Sequence, residues 1–133
     1  MKLLDTTFLI HYWAGRMSIE EYLAAHDDHE FVTTTLNMKE LAVGRAIQGK
    51  LSPTELRAKF EWTTIIPFEF DHAVVAGELE AGLRQDDELK QDTINALTGD
   101  LLIAAVAKEL GATVVTQNTA DFEAFDGVPV ESY

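Results

Sequence analysis

Four acidic residues stand at the edges of apolar segments: Asp5 after Leu3-Leu4, Glu40 in Met38-Lys39-Glu40-Leu41, Asp100 before Leu101-Leu102-Ile103, and Asp121 in Asn118-Thr119-Ala120-Asp121-Phe122. Carboxylates gathered in a partly desolvated place repel one another, and a shared cation offsets that cost. An all-oxygen donor set favours Mg²⁺ or Mn²⁺ over Zn²⁺. Each acid taken singly also has a plainer reading. Asp5 and Asp100 would serve as helix N-caps, Asp121 would cap a short turn, and Glu40 would answer Asn37 across a capping box. The set resists that explanation better than its members do. Asp5 lies directly beside Leu4, and Asp100 opens a run with no polar residue for seven positions.

Other groups offer less chemistry. His26 and His29 have a metal-compatible spacing, but they sit in an acidic stretch without a third His or any Cys, which reads as a solvated loop. No glycine-rich phosphate loop is present. Ser18 and Ser52 read as helix caps, and Asp86, Asp87, Glu88 and Asp92 as a solvated run. Tyr12 and Trp13 read as core or interface rather than as a base-stacking platform.

The elements that must position the acids alternate. Leu3-Leu4 reads as a short strand running into a helix over Phe8–Trp13 that stops at Gly15. Ser18-Ile19-Glu20-Glu21 predicts a capped helix to about Ala25, and Phe31–Thr35 a β-branched second strand. Asn37 is expected to cap a helix ending before Gly49. Ser52-Pro53-Thr54-Glu55 is a strong helix start, with Ser at N-cap and Pro at N1. Thr63–Ile66 predicts a third strand, Asp71 the cap of a helix to Arg84, and Gln85–Asp92 a solvated stretch. Leu101–Ala107 predicts a helix buried all round, ending at Gly111. Thr113–Thr116 and Val128–Val130 supply the last two strands. Such alternation indicates one parallel α/β domain over residues 1–133.

Charge is the unusual quantity. Ten Lys and Arg against 23 Asp and Glu leave a net charge of −13, with a pI near 4.5. Alone, this argues against a nucleic-acid partner, since phosphate affinity comes mostly from cations. Two readings reconcile it: a solubility shell suited to a salty cytoplasm, or a docking surface for a basic partner. Cysteine is absent, so disulfides and thiolate metal sites are excluded. No apolar run reaches membrane-spanning length, and a soluble cytoplasmic protein with no membrane association is the default expectation.

The ordered motifs resemble those of PIN-domain ribonucleases, and within them the VapC-type toxins of toxin–antitoxin pairs. Leu-Leu-Asp-Thr-Thr-Phe-Leu-Ile at 3–10 is similar to the family's opening strand and first acid, and Glu40 matches the second. Asp100-Leu-Leu-Ile-Ala-Ala matches the third, and Val-Val-Thr-Gln-Asn-Thr-Ala-Asp-Phe at 114–122 the closing motif. The likeness spans nearly the whole chain. It departs at His11, where a polar or acidic residue is usual, and at Thr93–Thr98, which lacks the usual Ile-Gly before the third acid.

This resemblance implies a three-layer α/β sandwich, with a mostly parallel sheet of four to five strands and helices on both faces. It implies Mg²⁺-dependent, or Mn²⁺-dependent, hydrolysis of structured RNA, leaving a 3′-hydroxyl and a 5′-phosphate. Asp5, Asp100 and Asp121 would hold one or two ions, with Glu40 binding directly or through water. Thr6 and Thr116 would support those ligands, and Asn118 would orient a ligand or phosphate or share the place of Asp121. It also implies a homodimer, and an antitoxin whose C-terminal segment covers the groove, often with a basic side chain at the acids. A catalytically silent PIN-like binding module is the competing reading from another class. A phosphohydrolase built on Asp5 would need a second Asp where Thr7 stands.

Overall fold

Five short strands, β1 (Lys2–Leu4), β2 (Phe31–Thr34), β3 (Thr64–Ile66), β4 (Thr113–Val115) and β5 (Val130–Glu131), form one sheet in the order β3-β2-β1-β4-β5. The computed structural model describes all 133 residues. Every strand pair is parallel. Leu3 stands opposite both Val32 and Val114, and Val115 pairs with Leu4 and Glu131. Parallel strands need crossovers, and eight helices provide them: α1 (Thr6–Trp13), α2 (Met17–Ala25), α3 (Thr35–Ile47), α4 (Pro53–Lys59), α5 (Phe70–Arg84), α6 (Gln91–Ala96), α7 (Thr98–Leu110) and α8 (Thr119–Phe122).

The period-2 alternation of strand side chains divides the core into two. Leu3, Val32 and Val114 point to one face, where Ala76, Leu79 and Leu83 of α5 meet Leu101–Ala107 of α7. Leu4 and Val115 point to the other, against Phe8, Leu9, Ile19, Tyr22, Leu41 and Phe60. A central sheet covered on both sides is the expected three-layer α/β architecture. Its strands can be this short and apolar because neither face meets water.

Several boundaries differ from expectation, each for a local reason. Ser18 is not a cap: α2 starts one residue earlier, with Arg16 at the N-cap position. Asn37 is not a cap either. Thr34 occupies that place, and Asn37 is its reciprocal partner three residues on, so β2 runs into α3 without a loop. Glu69 and His72 form the box that opens α5, leaving Asp71 as an acid in the first turn. Part of the supposed solvated stretch is α6, anchored by buried Ile94, which also gives Thr93–Ala96 a helical conformation before the third acid. The last strand starts two residues later than expected and ends one later, at Val130–Glu131. His26 is not simply solvated: its ring stacks on Tyr22 at 4.0 Å, and Nε2 lies 3.4 Å from Glu131. Ser52 does cap α4, accepting from the Glu55 N–H. No helix is long and apolar enough to cross a membrane.

Gly111 ends α7 with φ +69, and a Cβ added there would meet nothing within 4 Å. Gly111→Ala therefore isolates left-handed backbone strain from packing. It should cost about 1 kcal/mol, read as a lower urea midpoint with an unchanged slope.

Candidate active site

In an open parallel sheet, functional groups gather beyond the carboxyl ends of the strands where the chain reverses its direction of travel across the sheet. Here that place is between β1 and β4. The chain builds outward from β1 to β2 and β3, then returns to add β4 on the other side. Asp5 follows β1 and Thr116 follows β4, so both sit at this edge. The Asp5 N–H donates to the Val115 carbonyl at 3.1 Å, which locks the two strand ends together.

Asp5 occupies the N-cap position of α1 but makes no side-chain cap bond. Its buried carboxylate turns inward. Thr116 Oγ1 donates to Oδ2 at 2.8 Å and Asn37 Nδ2 to Oδ1 at 3.3 Å. Asn37 is fully buried, and its amide is held from behind, accepting from Thr34 Oγ1 at 2.7 Å and Thr34 N–H at 3.3 Å. The same Nδ2 donates to Thr6 Oγ1 at 3.0 Å, and Thr6 Oγ1 donates to Glu40 Oε1 at 2.9 Å. One directional chain of donors thus runs from Thr34 through Asn37 to Asp5, and through Thr6 to Glu40. No buried side-chain polar atom in the protein lacks a partner.

The remaining acids come from the helices that follow. Asp100 is the third residue of α7 and Asp121 the third of α8; neither is a cap, since Leu97 and Asn118 hold those positions. Asn118 holds the N-cap position of α8. Its backbone N–H donates to Thr116 Oγ1 at 3.0 Å, fixing the hydroxyl that faces Asp5.

The electrostatics bind the four acids into one group. Asp100 is pushed up to about 6, by partial burial first and then by the charges of Asp5, Asp121 and Glu40, with no hydrogen bond to offset them. Asp5 is raised by burial and by Asp121, against the lowering effect of its hydrogen bonds from Thr116, the Thr6 backbone and Asn37. Glu40 is raised by desolvation and by Asp5, against the Thr6 hydrogen bond and Lys39. No three of these side chains stand close enough together to share one ion in this arrangement. The donor chemistry nevertheless suits a hard divalent cation: the oxygens are all carboxylate, and their mutual repulsion is what such a cation relieves.

Two features escaped sequence reasoning. Asn37 was expected at a helix cap, whereas it is the buried amide that orients Asp5; the Thr-x-x-Asn spacing from Thr34 was the available signal. The second is the approach of Tyr133 to His11, which no local pattern announces.

With this geometry in view, the comparisons are direct. The PIN domain profile matches residues 2–128, and the chain belongs to the PIN-domain family. Among solved structures, VapBC2 from Rickettsia felis, bound to a promoter DNA fragment, is 21% identical with a TM-score of 0.78, covering 99% of this chain and 98% of that one. A toxin–antitoxin complex from Klebsiella pneumoniae is 26% identical with a TM-score of 0.68, covering 96% and 95%. FitAcB from Neisseria gonorrhoeae is 21% identical with a TM-score of 0.75, covering 98% and 96%. At 21% identity the likeness is one of fold. No curated protein sequence matches the chain.

Two outcomes follow from the geometry. Asn37→Ala removes the donor to Asp5 and strands the Thr34 hydroxyl, so it should cost ~1–3 kcal/mol in denaturant unfolding. Asp100 titrates higher in the fold than in the unfolded chain, so its contribution to metal-free stability is fully present below the usual carboxylate pKa and is lost as pH rises through about 6. Asp100→Asn should therefore raise the metal-free thermal midpoint at pH 7.5. The gain should be on the order of 1 kcal/mol, or ~4 °C, after discounting for solvent screening, and should vanish near pH 4.

Proposed function

We propose that this chain is a divalent-metal-dependent endoribonuclease and the toxin of a type II toxin–antitoxin pair, acting on structured RNA such as transfer RNA or ribosomal RNA loops. The observation that carries this reading is the electrostatic coupling of Asp5, Glu40, Asp100 and Asp121 at the carboxyl edge of a PIN-family sheet. Asp5, Asp100 and Asp121 would hold one or two Mg²⁺ or Mn²⁺ ions, with Glu40 binding directly or through water. A divalent cation held there supplies Lewis acidity toward a phosphodiester and lowers the pKa of the attacking water.

The chain's own contribution is orientation. Thr116 and Asn37 fix the Asp5 carboxylate from both sides. Thr6 aims Glu40, and the Asn118 N–H holds Thr116. Supports of this kind commonly change metal affinity or activity 10–100-fold when removed.

Charge distribution supports an RNA substrate better than the net value does. Lys39, Arg45, Lys50, Arg57 and Lys59, five of the ten cations, fall between positions 39 and 59 beside only Glu40 and Glu55. The covering partner would be an antitoxin segment; the Klebsiella pneumoniae neighbour is itself a toxin–antitoxin complex. A groove of about 360 Å³ between α1 and α3 is lined by Ile10, Trp13, Leu41, Gly44 and Glu40, so an apolar segment lying there would reach a catalytic acid. A homodimer fits the same reading. The competing reading, a catalytically silent interaction module, draws on the failure of the acids to converge on one point.

Purified protein is expected to cut RNA with Mg²⁺ or Mn²⁺ and to stop without them. Asp100→Asn should lower the rate roughly 10²-fold or more while circular dichroism is unchanged, consistent with the several kcal/mol a bound cation contributes. Excess Mg²⁺ should also raise the thermal midpoint of the wild type but not of Asp5→Asn. An Asp100→Asn variant that cuts at the wild-type rate would sink the reading.

A further inference from the structure

The departure at His11 leads to a second group of residues beside the acids. β5 runs parallel to β4, and the Thr116 N–H donates to the Glu131 carbonyl at 3.0 Å, so the residues after β5 emerge at the same sheet edge as Asp5. There the Tyr133 hydroxyl meets His11 Nδ1 at 2.6 Å. The tyrosine ring packs edge-on against fully buried Phe8 at 5.0 Å and against the His11 ring at 5.7 Å. His11 lies one turn after Thr7 on the same face of α1. Thr7 Oγ1 is 3.4 Å from Thr116 Oγ1, the hydroxyl that donates to Asp5. The Tyr133 phenol accordingly feels both Thr7 and the charge of Asp5. Arg16, exposed at the start of α2, acts on both His11 and Tyr133 and belongs to none of the protein's ion pairs, although acids outnumber cations more than twofold.

The Arg16 N–H donates to the His11 carbonyl at 3.2 Å. We infer that His11, Tyr133 and Arg16 form a phosphate-binding subsite beside Thr7 at this sheet edge, taking a phosphodiester adjacent to the scissile one. Burial, followed by Arg16, lowers the His11 pKa, so the ring is neutral at pH 7. With the Tyr133 hydroxyl as donor to Nδ1, the tautomer this subsite requires, the imidazole proton lies on Nε2 as a donor for a phosphate oxygen. Arg16 supplies the charge. Along α1, His11 lies about 9 Å from Asp5, far enough to engage a neighbouring nucleotide without entering the metal cluster. Tyr133 is a positioning residue that fixes the tautomer, and His11 and Arg16 touch the substrate.

The inference rests on the ribonuclease reading, and two assays separate them. For cleavage of a short stem–loop RNA with Mg²⁺, His11→Ala and Tyr133→Phe should each raise KM roughly tenfold with kcat nearly unchanged, and His11→Gln should recover part of the loss. Tyr133→Phe keeps the packing on Phe8, so its thermal midpoint should stay near wild type. In the cleavage-deficient Asp100→Asn background, Arg16→Ala should weaken RNA binding and reduce the log–log salt slope by about 0.7, one phosphate contact on a single strand. Unchanged KM, RNA affinity and salt slope in these variants, beside an active wild type, would overturn the subsite alone. A wild type that neither cuts nor binds RNA overturns both.

Discussion

A carboxylate buried at the end of the central strand is the constraint on which the rest of this structure depends. Asp5 follows two fully buried leucines and is itself almost inaccessible, so burial alone would drive it to its neutral form. Two neutral donors, Thr116 and Asn37, offset part of that cost without placing a positive charge beside the carboxylate. That choice matters. An arginine or lysine partner would have stabilised the group and removed its capacity to bind anything else. With amide and hydroxyl partners, the negative charge stays available to a cation.

The parallel sheet makes that arrangement possible. Because β1 is central and its two neighbours run in the same direction, the residues that follow all three strands converge on one edge. Asn37 reaches Asp5 from beyond β2, and Thr116 reaches it from beyond β4. Asp100 and Asp121 open α7 and α8, so their positions depend on how those helices pack on the sheet. Helix α7 is almost entirely apolar from Leu101 to Ala107 and has little freedom to slide. Dense packing of this kind fixes an attached carboxylate more firmly than a loop would. The repulsion gathered at the edge is therefore held in place by the core beneath it.

Much of the frame was legible in the chain itself. The apolar runs at Leu3-Leu4, Leu101–Ala107 and Thr113–Thr116 announced buried elements, Ser52-Pro53 announced a helix start, and Gly111 a helix end. Errors concentrated at helix N-termini. Ser18, Asn37 and Asp71 all had the composition of caps, yet Arg16, Thr34 and Glu69 hold those positions. Asn37 is the instructive case. Its spacing from Thr34 makes it the N3 partner of a capping box rather than the cap, and its long-range task of orienting Asp5 has no local signature.

The four acids, their order, and the apolar segments that carry them were determined by sequence, because a carboxylate beside a continuous apolar run must end up at the boundary of a core. Composition likewise determined that any metal site would use oxygen rather than sulfur. Only the tertiary structure decided which groups meet. Asn37 reaches Asp5 across 32 positions, Thr116 reaches it across 111, and Tyr133 reaches His11 across 122. Those pairings come from strand order and helix docking, long-range packing preferences that no local spacing encodes. The raised pKa of Asp100 has the same origin, since burial sets it first and charges from distant parts of the chain add to it.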